Sequence, residues 1–82
     1  MPRSALWTVE IREHWVGRWS IPECSYTLGA LDGAEARTVA LRWAHVAAGA
    51  PAWRPLLRQS WPHSSARPAR RGDTEQAIGM AA

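Results

Sequence analysis

The stretch "WTVEIREHWVGRW", residues 7–19, limits the possible folds because its residue pattern fits a β-strand and does not fit an α-helix. Its first six residues alternate between apolar and polar side chains, which is the pattern of a strand with one buried face. A helix would place Val9 and Val16 on the face opposite Trp7 and Ile11. The β-branched and aromatic content also favours an extended backbone. The sequence therefore predicts a strand here.

A second alternating run, "ECSYTLGAL", follows after a short gap. Its even-numbered residues from Cys24 to Ala30 would share one face. Gly17 and Pro22 lie between the two runs, where they indicate a turn or a bulge. The simplest arrangement is an antiparallel hairpin with a long connection.

The segment "LDGAEARTVALRWAHVAAGAP" predicts a helix with both ends marked. Asp32 suits the N-cap, and Glu35 follows three residues later as in a capping box. Gly49 is placed to end the helix, and Pro51 prevents it from continuing. Helical spacing predicts one apolar stripe, formed by Ala36, Val39, Ala40, Trp43 and Ala47.

After this helix, a short third strand is predicted over residues 56–61, between Pro55 and Pro62. From residue 62 onwards the sequence is rich in Pro, Ser, Arg and Gly, so it buries too little apolar surface to order itself. The predicted fold class is α+β: a β-β-α-β domain over residues 1–61, with a three-stranded sheet, one helix packed on a face, and a disordered, flexible tail over 62–82. The predicted core is Trp7, Val9, Ile11, Tyr26, Leu28, Val39, Trp43 and Leu57.

Composition argues for a cytoplasmic protein without disulfides. Cys24 is the only cysteine of the 82 residues, and the N-terminus has no apolar run of the length found in signal peptides. The longest uncharged stretch, residues 43–53, is far shorter than the roughly 20 apolar residues that cross a membrane. Ten arginines without any lysine are typical of a GC-rich genome.

No motif for catalysis, a cofactor or a metal is found. Phosphate-loop glycines and a nucleophile elbow are missing. The possible metal ligands lack ligand spacing and fall on different predicted elements; they are His14, Cys24, His45 and His63. His45 is predicted to be solvated or at the rim of the core. We therefore expect neither an enzyme nor a protein with a metal or cofactor.

Glu10, Glu13 and His14 suggest a general acid–base pair, because Glu10 and His14 would share one strand face. The same face carries Thr8 and Arg12, which makes an ordinary solvated strand surface the favoured interpretation. The tripeptide RGD at residues 71–73 is attributed to chance in a charged segment.

Net charge is concentrated late in the sequence. Residues 1–31 and 32–50 each sum to zero, whereas residues 51–82 hold five arginines against two acidic residues and so carry the whole net charge of +3. The densest part, "SSARPARR", predicts a basic arm that contacts phosphates through Arg67, Arg70 and Arg71. The alternative is that these arginines only keep the segment soluble.

Tryptophan next to arginine, as in Trp53–Arg54, is typical of surfaces that stack single-stranded bases, and equally of protein interaction hot spots. The sequence does not separate the two. The residues predicted to contact nucleic acid are Trp53, Arg54, Arg58, Trp61, Arg67, Arg70 and Arg71.

The segment 7–61, with its motifs "EAR…A.RWAH" and "WRPLLR.SW", resembles small uncharacterised accessory proteins encoded on plasmids and integrated mobile elements of GC-rich bacteria. The resemblance implies a setting of replication, transfer or maintenance, and no activity. The expected function is a small non-enzymatic accessory or regulatory protein that contacts DNA or RNA, with no membrane or small-molecule partner. The alternative is a protein–protein adaptor or homodimer that uses a sheet edge and rim tryptophans.

Overall fold

The computed structural model describes residues 3–73, which fold into an α+β arrangement. The elements, in chain order, are β1 (Ala5–Ile11), β2 (His14–Val16), β3 (Trp19–Ile21), β4 (Cys24–Ala30), α1 (Gly33–Ala47), α2 (Arg54–Ser60), a 3-10 turn (Trp61–His63) and β5 (Ser64–Pro68). Residues 74–82 of the predicted tail lie outside the described residues.

Strand β1 is the centre of the main sheet. Within residues 3–73 this sheet has three strands in the order β4-β1-β5, and both pairings are antiparallel. Val9 lies opposite Tyr26 on one side and Ala66 on the other. The predicted pairing of the first two long strands is confirmed. The central position is taken by β1, which has the most regular alternation of apolar and polar residues.

The connection between β1 and β4 contains a small hairpin, β2–β3. Its turn is at Gly17, whose φ of 58° lies in the left-handed region that glycine adopts without strain. Val16 and Ile21 from this hairpin are fully buried and extend the core beyond the main sheet. The predicted turn at Gly17 is thus confirmed, with one strand of the small hairpin on either side of it.

Helix α1 begins and ends where its sequence signals predict. The carboxylate of Asp32 accepts a hydrogen bond from the backbone N–H of Glu35 at 2.8 Å, which caps the first turn. Gly49, with φ of 72°, terminates the helix. The helix crosses one face of the sheet and covers Val9, Ile11 and Leu28, so the main core lies between α1 and β1.

The buried stripe of α1 differs from the predicted one. Ala36 and Ala40 are buried as expected, but the stripe continues through Leu41, Ala44 and His45. The prediction that Trp43 is in the core is wrong, because its side chain is 45% exposed and packs edge-on against Tyr26. The helix turns its small residues towards the sheet, which brings the two backbones close and leaves no room for an indole. Of the other predicted core residues, Trp7, Tyr26 and Val39 are only partly buried.

The predicted third strand over residues 56–61 is wrong, since residues 54–60 form helix α2. Pro55 lies in the first turn of this helix, where its fixed φ is suitable and its missing N–H has no partner to lose. Leu57 and Ser60, three residues apart, are buried, whereas Arg54 and Arg58 are exposed. A proline that was taken as the limit of a strand therefore belongs to the start of a helix.

The expectation of a flexible tail from residue 62 is wrong for residues 64–68, which form β5 and complete the sheet. Its side chains are too small and polar to give a strand pattern. Ala66 lies on the helix side, close to Gly33 and Trp7, and small residues are needed there because α1 passes close above the strand. Pro68 lies at the end of this edge strand, where it is tolerated.

The second face of the sheet is polar. Thr8, Glu10 and Arg67 lie on this face, because residues alternate along each strand and Thr8 pairs with Arg67. Thr8 is nevertheless only 2% exposed, and its hydroxyl donates to the Asp73 carboxylate at 3.0 Å and lies 3.0 Å from the Thr27 hydroxyl. Among residues 3–73, no helix has the length and apolar character that crossing a membrane requires.

Candidate anion-binding cleft between the two helices

Helices α1 and α2 enclose a cleft of about 320 Å³, which we call the helix cleft. Each helix contributes residues spaced i, i+3 and i+4, so three side chains from each point into the same space. The cleft is lined by Thr38, Leu41 and Arg42 of α1, Arg54, Leu57 and Arg58 of α2, and Ala52 and Trp61 beside them. Its apolar floor and basic rim suit a ligand that has both an anionic and an apolar part.

Three guanidinium groups, those of Arg42, Arg54 and Arg58, are at the rim and are exposed. In the part of the chain from residue 3 to residue 73, none of the three forms an ion pair or a side-chain hydrogen bond. The sequence explains why, since residues 36–72 contain seven arginines and no Asp or Glu. Their hydrogen-bond donors are therefore available for an anionic ligand.

Trp61, one of the predicted binding residues, lines the cleft, and its indole ring packs against the side chain of Arg37. The Arg37 guanidinium lies 3.8 Å from the indole centroid and donates to the Trp61 carbonyl at 2.7 Å. Arg37 also donates to Ser64, through Nε to the hydroxyl at 2.9 Å and through Nη2 to the carbonyl at 3.0 Å. Desolvation lowers the pKa of Arg37 below its ordinary value, and an arginine side chain stays charged at neutral pH. Arg37 is thus a structural cation, and it fixes one wall of the cleft.

Trp53 lies at the N-cap of α2, directly before Arg54, and is 70% exposed. Its backbone carbonyl accepts hydrogen bonds from Leu56 and Leu57, so the residue is held by its main chain while the indole faces solvent. An exposed indole next to a free guanidinium provides a stacking surface beside the cleft.

Arg67, the first residue of the predicted basic arm, is on the opposite face of the sheet and is neutralised there. Two of its nitrogens donate to the Asp73 carboxylate, at 2.7 and 3.0 Å, and Glu10 lies at 3.6 Å. These hydrogen bonds raise the pKa of Arg67 and hold the pKa of Asp73 far below its ordinary value. Arg67 is therefore part of an ion-pair network and does not belong to the helix cleft.

Arg70 and Arg71, the other two arm residues, follow β5 in a turn closed by Asp73. The Arg70 N–H donates to the Asp73 carboxylate at 2.8 Å, and the Asp73 N–H donates back to the Arg70 carbonyl at 3.0 Å. The structure thus brings together Arg54, Arg58 and Trp61 of the predicted site, with Trp53 next to Arg54 at the N-cap of α2, and it places Arg67, Arg70 and Arg71 elsewhere.

A second polar cluster lies behind the cleft and was not predicted. Ser60 of α2 is hydrogen-bonded to His14 of β2 and to His45 of α1, at 2.7 and 2.6 Å. His45 is fully buried, so the prediction of a solvated or rim histidine is wrong. His14 is 6% exposed and stacks on His63, which contradicts its assignment to a solvated strand surface. Within residues 3–73, no group of three or more His, Cys, Asp and Glu side chains is arranged to hold a metal ion.

Sequence reasoning missed Arg42 and Thr38, the α1 half of the cleft. Two signals in the sequence point to it. Arg54 and Arg58 are four residues apart, which puts them on one side of a helix, and the absence of acidic residues from 36 to 72 extends the basic region back into α1. Comparison with protein-family models, curated proteins and solved structures finds no match to this chain. The resemblance to accessory proteins of mobile elements stays a prediction.

Proposed function

We propose that this protein binds single-stranded nucleic acid at the helix cleft, as a non-enzymatic accessory or regulatory protein of the cytoplasm. The observation that carries the proposal is the rim of three guanidinium groups, Arg42, Arg54 and Arg58, which have no ion-pair partner among residues 3–73 and lie in a stretch, residues 36–72, without Asp or Glu. Guanidinium groups bind phosphate with bidentate hydrogen bonds, and clustered positive charge favours a polyanion over a single small anion.

The apolar part of the cleft favours a single strand over a duplex. Leu41 and Leu57 line its floor, and Trp53, which precedes Arg54 in the sequence, is 70% exposed. A duplex presents phosphates while its bases stay stacked inside, so it would leave these apolar surfaces uncovered. A single strand offers base faces that stack on an indole or cover an apolar floor, largely independently of sequence.

A salt series with labelled oligonucleotides tests the proposal. Fluorescence anisotropy is measured for single-stranded DNA, single-stranded RNA and duplex DNA, with the wild type and with the double variant R54A/R58A. Each phosphate contact on a single strand contributes about 0.7 to the slope of log affinity against log salt. We expect tight binding to single strands at low salt, and a slope lowered by about 1.4 in R54A/R58A.

The matched control is R3A/R18A, which removes the same charge at two arginines outside the cleft. It should retain the wild-type slope. W53A should weaken single-strand binding with little change in slope, because it removes stacking and keeps the charge. If the two double variants lose affinity equally, binding reflects net charge only, and no binding at low salt would refute the proposal.

A protein–protein function is the second candidate, and it is favoured by the outer edge of β4, which has no strand partner among residues 3–73. All seven residues of this strand are uncharged, and Trp43 and Val46 on the adjoining helix are 45% and 66% exposed. An uncharged edge strand beside apolar side chains is suited to adding a strand from a partner or from a second copy of the chain. Sedimentation velocity tests whether the partner is a second copy of the chain. A wild-type dimer that becomes a monomer in the variant W43E/V46E would support pairing between two copies.

The setting of this function, a plasmid or an integrated mobile element of a GC-rich bacterium, belongs to the proposal as well. It is supported by the arginine-only basic composition and by the resemblance of residues 7–61. A genomic survey of the neighbouring reading frames tests it directly. Replication, transfer or maintenance genes beside the coding sequence would support the setting, and their absence would contradict it.

A further inference from the structure

Three elements meet at one buried hydroxyl. Ser60 Oγ lies 2.7 Å from His14 Nε2 and 2.6 Å from His45 Nε2. Ser60 and His45 are fully buried, and His14 is 6% exposed. We call this arrangement the His–Ser–His bridge. Because it joins β2, α1 and α2, its protonation affects how the helices are held against the small hairpin.

The outer nitrogens of both imidazoles face backbone carbonyls. His14 Nδ1 lies 2.6 Å from the Arg12 carbonyl oxygen, and His45 Nδ1 lies 2.9 Å from the Pro51 carbonyl oxygen. A carbonyl oxygen only accepts hydrogen bonds. Both Nδ1 atoms must therefore carry a hydrogen if these two contacts are hydrogen bonds.

A count of hydrogens then shows a deficit. The bridge has four short contacts, two to carbonyls and two to the serine hydroxyl, and each one needs its own hydrogen. Two neutral imidazoles supply one N–H each and Ser60 supplies one O–H, which is one hydrogen too few. Any choice of neutral tautomers leaves two lone pairs facing each other across one of the four contacts, of which the two to Ser60 are buried and the two to carbonyls are partly buried. Facing lone pairs are unfavourable where water is excluded.

We propose that the His–Ser–His bridge binds one additional proton in the folded protein, shared between His14 and His45 through Ser60. With that proton every contact is satisfied: one imidazole donates from both nitrogens, Ser60 accepts from it and donates to the other imidazole. The proton belongs to the pair rather than to one ring. The inference is independent of nucleic-acid binding.

The charged groups on the elements around the bridge are mostly cations, so the proton is held by hydrogen bonds and not by neighbouring carboxylates. Glu13, next to His14 in sequence, is exposed. His63 stacks on His14 with the ring centroids 4.3 Å apart. Desolvation, followed by the charges of His14 and Arg12, lowers the pKa of His63, which therefore stays neutral beside the bridge. The other cations on these elements are Arg12, Arg37, Arg42, Arg54 and Arg58.

Nitrogen-15 NMR of the imidazoles in the full-length protein at pH 8 tests the proposal. We expect His14 and His45 together to show three N–H hydrogens, with neutral His63 as the internal reference that shows one. Two N–H hydrogens in total would overturn the proposal. In S60A the pair should fall to two, and three would overturn the role given to Ser60. The wild-type spectrum is decisive even if S60A does not fold.

Discussion

The guanidinium of Arg37 lies over the indole ring of Trp61, with its central carbon 3.8 Å from the ring centroid. This contact joins helix α1 to the turn that leads into β5. It is supported by hydrogen bonds from the same guanidinium to the Trp61 carbonyl and to Ser64. One side chain thus fixes both a wall of the helix cleft and the entry to an edge strand.

Removing this side chain should destabilise the protein. R37A loses the stacking and leaves the carbonyl acceptors unpaired, for which we expect a loss of about 2–3 kcal/mol in the free energy of unfolding. R37K should recover little of this free energy, because lysine lacks the planar guanidinium group with its several N–H donors. R42A is the matched control on the same helix, and it should change stability by less than about 0.5 kcal/mol. Urea denaturation measures all three, and equal losses in R37A and R42A would contradict the structural role of Arg37.

The two faces of α1 should respond differently to truncation. Leu41 is fully buried, so L41A should cost about 2–5 kcal/mol. Trp43 is 45% exposed, and W43A should cost only about 1–2 kcal/mol despite the larger side chain. The free energies of unfolding of the two variants, measured side by side, check this order. If W43A lost more stability than L41A, Trp43 would belong to the core, as the helical spacing alone predicts.

A chain that ends at Trp61 should not fold. It lacks β5, and with it the hydrogen-bonded partner on one side of β1 and the Ser64 acceptors of Arg37. A chain that ends at Asp73 is the control, since it retains β5 and the Asp73 hydrogen bonds to Arg67. Amide exchange across residues 5–11 reports the outcome. Protected amides in the shorter chain would show that β5 is dispensable.

The Asp73 carboxylate should stabilise the fold only above the pH at which this residue titrates in the unfolded chain. Its hydrogen bonds from Arg67, Arg70 and Thr8 hold its pKa far below the ordinary value of 3.8. A depressed pKa in the folded state means that the contribution is present above about pH 3.8 and is lost as the pH falls below that value. The stability difference between wild type and D73N should therefore be constant from pH 7 to 5 and shrink towards pH 2. A difference that does not change with pH would exclude this linkage.

Most of the first half of the fold could be predicted from the sequence, because its signals are local. The alternation from Trp7 to Ile11 and the caps of α1 at Asp32 and Gly49 are set by backbone geometry within a few residues. The second half could not. Whether residues 54–60 form a strand or a helix depends on packing against α1 and β2, and the seven-residue segment has too few turns to show a period.

The candidate site divides in the same way. Trp53, Arg54, Arg58 and Trp61 were predicted because they are close in sequence, and the helix keeps them close in space. Arg67 was assigned to a basic arm because its partners Asp73 and Glu10 come from a turn and from β1, which meet only once the sheet has formed. The His–Ser–His bridge was missed for the same reason, as its members are distant in sequence.

The position of β1 at the centre of the sheet also has a consequence for biosynthesis. Strand β1 is made before either of its neighbours in the sheet, and one of them, β5, ends only at Pro68. A nascent chain therefore carries Val9 and Ile11 on a strand with one open edge until β5 has been made. Long-range closure of this kind slows folding and prolongs exposure to aggregation. We expect ribosome-bound chains that still lack β5 to depend on chaperones more than chains in which β5 is complete.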